Sequence, residues 1–311
     1  MATSAAPVHE PWTIKLESGD FPEGFADLEG RNPGIPDRIH GLGNIDVVAG
    51  LRTVDAVTIV GSRRATSYGR EVAGRLGFEL AAAGLVVVSG MAHGIDAAAH
   101  RGALDAGGVT IAVLGGGPDV IYPPGQRHLH ERIIGTGGAV ISEQPPGTAP
   151  AKWSFPARNR LMAAMATITV VVEATERSGT RITSDWALDL QRQVAAVPGP
   201  VTSRMSDGPN SLIRDGANPV LRPGDVLDLV GGVGTTAIER HGPDPGPEGT
   251  AVLDAVEAGL DRADEIARET GLEPLKVAVA LAKLELYGYV RLAGPDRYLR
   301  TTLLPPSNDP E

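Results

Sequence analysis

From Ala56 to about Val230, short apolar runs alternate with stretches whose apolar positions recur at helical spacing. The runs are "AVTIV", "LVVVS", "VTIAVL", "AVIS", "ITVVVEA" and "VAAV", each closed by a glycine, serine, glutamate or proline. Unbroken runs rich in valine and isoleucine are those of strands buried on both faces, and helical stretches between them serve as crossovers. The pattern predicts an α/β domain over residues 53–231, with an extended Rossmann-like, doubly wound, mostly parallel sheet. Its first helix runs from about Ser67 to Ala83, with Val72, Leu76, Leu80 and Ala83 on one stripe. Gly84 then supplies the left-handed stop.

Beyond residue 231 the pattern changes. Residues 232–248 carry the proline, glycine and charge of a linker. Residues 249–303 hold three amphipathic stretches, "TAVLDAVEAG", "RADEIARETG" and "EPLKVAVALAKLELYGYV", and then "YVRLAGPDRYLR", which reads as two short strands around a turn. Three helices and a hairpin predict a small winged helix. Residues 304–311 form a tail. Residues 1–52, rich in glycine and proline with few apolar runs, read as an irregular extension. No internal repeat is present.

Composition narrows the function classes. Hydrophobic residues make up 42% and charged residues 21% of the 311, which is a globular balance. No apolar run reaches the roughly 18 residues of a membrane span, and no basic-then-apolar leader opens the chain, so a cytoplasmic protein that does not enter a membrane is expected. The absence of cysteine excludes disulfides, thiolate catalysis and cysteine-ligated metals. A net charge of -10 argues against coating nucleic acid by bulk electrostatics, so a polyanion needs a local site. One stretch has the right sign: Arg52, Arg63, Arg64, Arg70 and Arg75 face only Asp55 and Glu71.

Within that stretch, "TIVGSRRATSYGREVAG" (Thr58 to Gly74) reads as strand, tight turn and helix. A dinucleotide fingerprint would put its second glycine where Arg63 stands and an acid after the second strand, which ends instead in Ser89-Gly90. A triphosphate loop would need Gly-Lys-Ser or Gly-Lys-Thr. What remains is a phosphate cup: Gly61 permits the turn, Ser62 offers a hydroxyl, the helix start offers N–H groups, and Arg63 and Arg64 offer guanidiniums. The alternative is that both arginines form surface salt bridges.

A second cluster, "AKWSFPARNR", gathers Lys152, Arg158 and Arg160 around Trp153, Phe155 and Asn159. Cations for phosphates beside an aromatic for a base are the two components of single-strand recognition. The alternative has Trp153 and Phe155 as core anchors, Arg158 and Arg160 in salt bridges, and Asn159 as a cap. In "HGIDAAAH", His93, Asp96 and His100 have the spacing of a two-histidine, one-carboxylate metal set. A carboxylate is favoured near a helix start anyway, so neither metal nor cofactor is expected.

These blocks, with "ISEQPPGTAP", "VVVEATERSGTRIT" and "VAAVPGPVTSRMSDGPNSLIRDGA", follow one another in an order that resembles the DNA-processing protein A family (DprA, also called Smf), from about Val57 to Val290. The resemblance implies a single-stranded DNA-binding protein without catalytic turnover. It implies a homodimer that passes the strand to a RecA-type recombinase in transformation or recombination. It also implies that Arg63, Lys152 and Phe155 line the pocket, while Ser89, Gly90, Ser178 and Gly179 at neighbouring strand ends are counted with it. The chain departs from the family pattern at His93, usually arginine, at Gln191, usually glycine, and at Arg181, usually apolar. A rival reading comes from Glu173 and "SGT" (Ser178 to Thr180), similar to the lysine-decarboxylase-like (LOG) phosphoribohydrolases that cleave nucleoside monophosphates. The doubled glycine and following glutamate of that family are missing, and Asp185 comes too late. In the winged helix, Lys276 and Lys283 are balanced by Glu273 and Glu285, which favours a protein-contact module over a duplex reader, with Arg291, Arg297 and Arg300 as the reservation.

Overall fold

A run without a polar face needs cover on both sides, and all six predicted runs lie within one sheet. The computed structural model describes residues 10–176, 178–231, 242–294, 296–300 and 305–306. In chain order the first unit contains β1 (Trp12–Lys15), β2 (Arg38–Gly43), β3 (Ala56–Val60), α1 (Ser67–Ala82), β4 (Val86–Ser89), α2 (Ile95–Asp105) and β5 (Thr110–Val113). It continues with α3 (Arg127–Gly135), β6 (Ala139–Ser142), α4 (Ser154–Met165), β7 (Ile168–Val171), α5 (Thr180–Asp189) and β8 (Gln193–Ala196). Then come α6 (Asp207–Arg214), β9 (Asn218–Pro219) and α7 (Pro223–Gly231).

Among the described residues the strands are ordered β1-β2-β6-β5-β4-β3-β7-β8-β9. From β6 to β9 every neighbour pair is parallel. On one face, α1 and α2 pack Leu76, Leu80, Ala73 and Ala99 against Ile59 and Val170. On the other, α4 and α5 pack Leu161, Met162 and Ala187 against Val88 and Val171. The winding changes direction at β3, whose neighbours are β4 and β7. In open parallel sheets the crevice outside the carboxyl ends at such a point is where ligands bind. The segments leaving β3, β4, β5 and β7 at those ends are Gly61 to Thr66, Gly90 to Gly94, Leu114 to Gly117, and the stretch at Glu173.

The N-terminal segment differs from the irregular extension expected of it. β2 pairs antiparallel with β6, and β1 pairs antiparallel with β2, while Phe25, Leu28 and Ile39 enter the core beneath α4. Gly41 makes this possible, since a Cβ there would lie 2.3 Å from the ring of Trp12. The indole crosses the strand at that glycine and donates from Nε1 to the Gly43 carbonyl at 2.9 Å.

The chain divides into two compact units between residues 237 and 238. The second contains α8 (Gly246–Glu257), α9 (Ala263–Thr270), α10 (Pro274–Tyr287) and the hairpin β10 (Val290–Gly294) with β11 (Arg297–Arg300). Three helices and a hairpin make a winged helix around Val252, Leu253, Ile266, Leu281, Leu284 and Tyr289. α8 starts inside the segment read as linker, and residues 232–241 lie outside the described residues. Among the described residues no helix is long and apolar enough to cross a membrane.

Candidate nucleic-acid interface

The turn after β3 is fixed by one residue at the end of β7. The Glu173 carbonyl accepts from the Ser62 N–H at 2.6 Å, and its carboxylate accepts from the Thr66 N–H at 2.8 Å and the Thr66 hydroxyl at 2.6 Å. Thr66 Oγ1 in turn caps α1 by accepting from the Gly69 N–H at 3.1 Å. Ser62 Oγ accepts from the Arg64 N–H at 3.1 Å, and the Ser62 carbonyl accepts from the Ile95 N–H at 3.2 Å. These ties leave Arg63 and Arg64 exposed. They also correct the expected phosphate cup, because the carboxylate of Glu173 holds the start of α1, where an anion was expected to sit. Attraction for an anion falls to the guanidiniums.

Arg63 holds its guanidinium carbon 5.3 Å from the ring centroid of Phe155, the range of a cation–π contact. Phe155 lies in the first turn of α4, where the ring of Tyr122 meets it at 5.4 Å and 43°. Ser154 fixes that helix start, bonding both the N–H and the carbonyl of Ala151. Lys152 just before it is exposed, and Trp153 is 64% exposed, which excludes Trp153 as a core anchor. Among the described residues Arg63, Arg64 and Lys152 have no salt bridge.

The other two arginines of the second cluster do not join them. Arg158 is buried and donates from Nη1 to the carbonyls of Gly90, at 2.8 Å, and Val113. It ties the carboxyl ends of β4 and β5 together. Gly90 has to be glycine for this, since a Cβ would lie 2.2 Å from the guanidinium. Burial pulls Arg158 down to about 10, against the upward effect of Asp96, so it stays charged at neutral pH. Burial pushes the Asp96 carboxyl up, against the charges of Arg158 and Arg63 and the N–H groups of Ala92 and Gly90. Arg160 is 2% exposed, paired with both carboxylate oxygens of Glu143 at 2.5 and 2.6 Å, and bonded to the Gly34 carbonyl at 3.0 Å. Both guanidiniums are consumed inside the protein, and the salt-bridge alternative holds for Arg160.

The remaining residues divide in the same way. Ser89 is fully buried and donates to the Ile59 carbonyl at 2.6 Å, so it is scaffold rather than ligand contact. Asn159 is buried and donates to the Gly179 carbonyl at 3.3 Å, fixing the loop before α5 instead of capping α4. Gly179 itself is exposed, and Ser178 Oγ accepts from the Thr180 N–H at 3.3 Å. Glu173, the acid of the phosphoribohydrolase alternative, has both oxygens committed to Thr66. Asp185 lies 3.8 Å from Arg181 on the exposed side of α5.

His93, Asp96 and His100 do not converge. His93 is exposed and meets Gln126 at 3.3 Å, while the His100 ring is buried with Nδ1 2.6 Å from the Thr110 hydroxyl, which donates to the Val87 carbonyl. Burial, helped by Arg158 and Arg101 and opposed by the Ser89 backbone, lowers His100 to about 3. Among the described residues no group of three His, Asp or Glu could hold a metal. Gln191 has φ +57, which gives the physical reason for the glycine usual there. Tyr122 was missed by sequence reasoning, and its "YPP" setting beyond the third apolar run was the available signal.

The winged helix offers few free cations. Lys276 donates to Glu248 at 2.8 Å, and Lys283 donates to the Pro245 carbonyl and lies over Tyr287. Arg297 pairs with Asp261 at 3.7 Å and Arg300 with Glu257 at 2.6 Å. The Arg291 side chain lies outside the described residues. Leu275, Val279 and Leu286 of α10 face solvent instead.

The family model for DNA recombination-mediator protein A matches residues 12–231, and that for the DprA winged helix domain matches residues 239–294. The chain is 46% identical over 245 residues to a DNA processing protein DprA of Mycobacterium tuberculosis, covering 75% of this chain and 61% of that protein. It is 38% identical over 256 residues to protein Smf of Escherichia coli, covering 78% and 67% respectively. Among solved structures, DNA processing protein A of Streptococcus pneumoniae matches with TM-score 0.62 and 35% identity, over 71% of this chain and 74% of that one. A structure describing the single-stranded DNA binding mode of DNA processing protein A from Helicobacter pylori matches with TM-score 0.62 and 27% identity, over 72% and 96%. The chain spans about three fifths of the length of its mycobacterial relative. With both of its units matched in order, the chain belongs to the DNA recombination-mediator protein A (DprA) family.

Proposed function

We propose that the chain binds single-stranded DNA at the rim formed by the carboxyl ends of β3, β4 and β7, and that it does so without catalytic turnover. The observation that carries this reading is the Arg63 guanidinium over the Phe155 ring, with no salt bridge on that arginine among the described residues. A cation free to meet phosphate beside a ring that can stack on a base matches an unpaired strand. Gly61, Ser62, Arg63, Arg64, Lys152, Phe155, Ser178 and Gly179 face the strand in this proposal. Ser89, Gly90, Arg158, Asn159 and Arg160 hold that surface in shape from below.

By family membership and the binding mode described for the Helicobacter pylori relative, the protein protects exposed strands in the cytoplasm. It acts as a homodimer and assists loading of a RecA-type recombinase in transformation or recombination. The committed lysines and exposed leucines of α10 favour a protein contact over duplex reading. The test is a mobility shift with single- and double-stranded oligonucleotides of equal length. A shift confined to the single strand is expected, and an equal or stronger shift with duplex would overturn the proposal.

A further inference from the structure

Beside the Thr66–Glu173 tie lies an open cleft of about 480 Å³. Its walls include Thr66, Tyr68, Glu173, Pro198, Pro200 and Ser203, brought together where α1 begins and the chain leaves β8. Tyr68 is 48% exposed, and the nearest partner of its hydroxyl is the Pro198 carbonyl at 3.5 Å, too long for a firm hydrogen bond. The ring is thus presented as a surface. The single-strand assignment uses none of it.

The chemistry of the walls selects a flat, uncharged occupant. Two prolines and a phenol ring supply apolar faces, and Glu173, the one charged group among the wall residues, repels phosphate. The rim has the opposite sign. Arg64 lies before Thr66 in the chain and Arg204 follows Ser203; both are exposed, and neither has a salt bridge among the described residues. A slot walled by prolines and a phenol, with exposed guanidiniums close by in the chain, matches the alternation of base and phosphate along a nucleotide chain. The cleft adjoins the turn that carries Arg63, because Glu173 walls it while its carboxylate holds Thr66 and its carbonyl holds Ser62.

We infer that this cleft is a second base subsite, in which Tyr68 stacks on a nucleobase of the same strand that crosses Arg63 and Phe155, with Arg64 and Arg204 meeting its phosphates. This inference rests on the proposed single-strand binding. Occupancy at both positions requires a strand long enough to reach from one ring to the other, so Tyr68 should matter only beyond a certain length.

The experiment is fluorescence anisotropy with oligothymidylates of about four and about twelve nucleotides, which bracket the usual site sizes, on the full chain and its Y68A and Y68F variants. Y68A should bind the short oligomer like the parent and the long one about five- to a hundredfold more weakly, the range of one lost stacking contact. Y68F should bind both like the parent. Equal affinity of Y68A and parent for the long oligomer would overturn the inference. So would an equal loss at both lengths, because Tyr68 would then act through the Arg63 turn. Failure of the parent chain to bind either oligomer would overturn the single-strand reading itself.

Discussion

Arg63 and Arg64 in the turn after β3, and Arg158 and Arg160 in the first turns of α4, look alike in the sequence: two guanidiniums each, beside a small polar residue, at the rim of one sheet. The structure employs them oppositely. The first pair has no salt bridge among the described residues and meets solvent, while the second is buried against Gly90, Val113, Gly34 and Glu143. For anion binding, the number of cations in a cluster says little. What counts is how many have no internal partner, and those partners lie up to 126 residues away. The winged helix repeats the lesson, since its lysines are answered by Glu248 and the Pro245 carbonyl.

The contrast between committed and free cations can be broken at several points. The largest change in stability is expected from Arg160→Ala, which leaves Glu143 without its partner. A loss of about 3 kcal/mol in denaturant unfolding should follow, while the strand affinity of the folded fraction stays near that of the parent. Phe155→Ala should do the reverse, weakening single-strand binding by about 1 to 3 kcal/mol in anisotropy titrations at fixed salt while leaving unfolding nearly unchanged. A Phe155→Ala variant that unfolds early but binds normally would move the ring from the interface to the core.

Acid should separate the two classes as well. His100, ordinarily near 6.5 and held to about 3 in the fold, stays neutral in the native state while the unfolded chain takes up a proton. Its contribution is complete above pH 6.5 and is lost as pH falls toward 3, with a slope of about 1.4 kcal/mol per pH unit. Guanidiniums do not titrate in that window, and protonation of Asp96, which lies in the field of Arg63 and Arg158, removes a negative charge near them, so strand affinity should not fall for as long as the protein remains folded. Smaller again, Gln191→Gly should raise stability by about 1 kcal/mol by removing a side chain from left-handed backbone, visible as a higher melting temperature. Least of all, Lys276→Ala in α10 should change single-strand affinity by less than about twofold, as expected where an exposed ion pair is worth little.

Much of the sheet was legible because a strand covered on both faces needs an unbroken apolar run, and β3 to β8 each show one. β2 hid from that test: its sequence, "RIHGLG", mixes arginine, histidine and two glycines, and its burial depends on the ring of Trp12 lying over Gly41. At the site, the glycine turn and the aromatic beside lysine marked Arg63 and Phe155, and the family resemblance joined them. Sequence spacing did not show that Glu173 would fill the start of α1. The placements of Tyr122 beside Phe155 and of Tyr68 beside Pro198 depend on contacts between segments far apart in the chain.

The most direct test of the account is an anisotropy titration of single-stranded oligonucleotide with Arg63→Glu, run beside a thermal melt of the same preparation. Binding should be abolished while the melting temperature stays near the parent value, since Arg63 is exposed and has no salt bridge to lose among the described residues. Parent-like affinity in the folded variant would contradict the claim that this free guanidinium receives the strand.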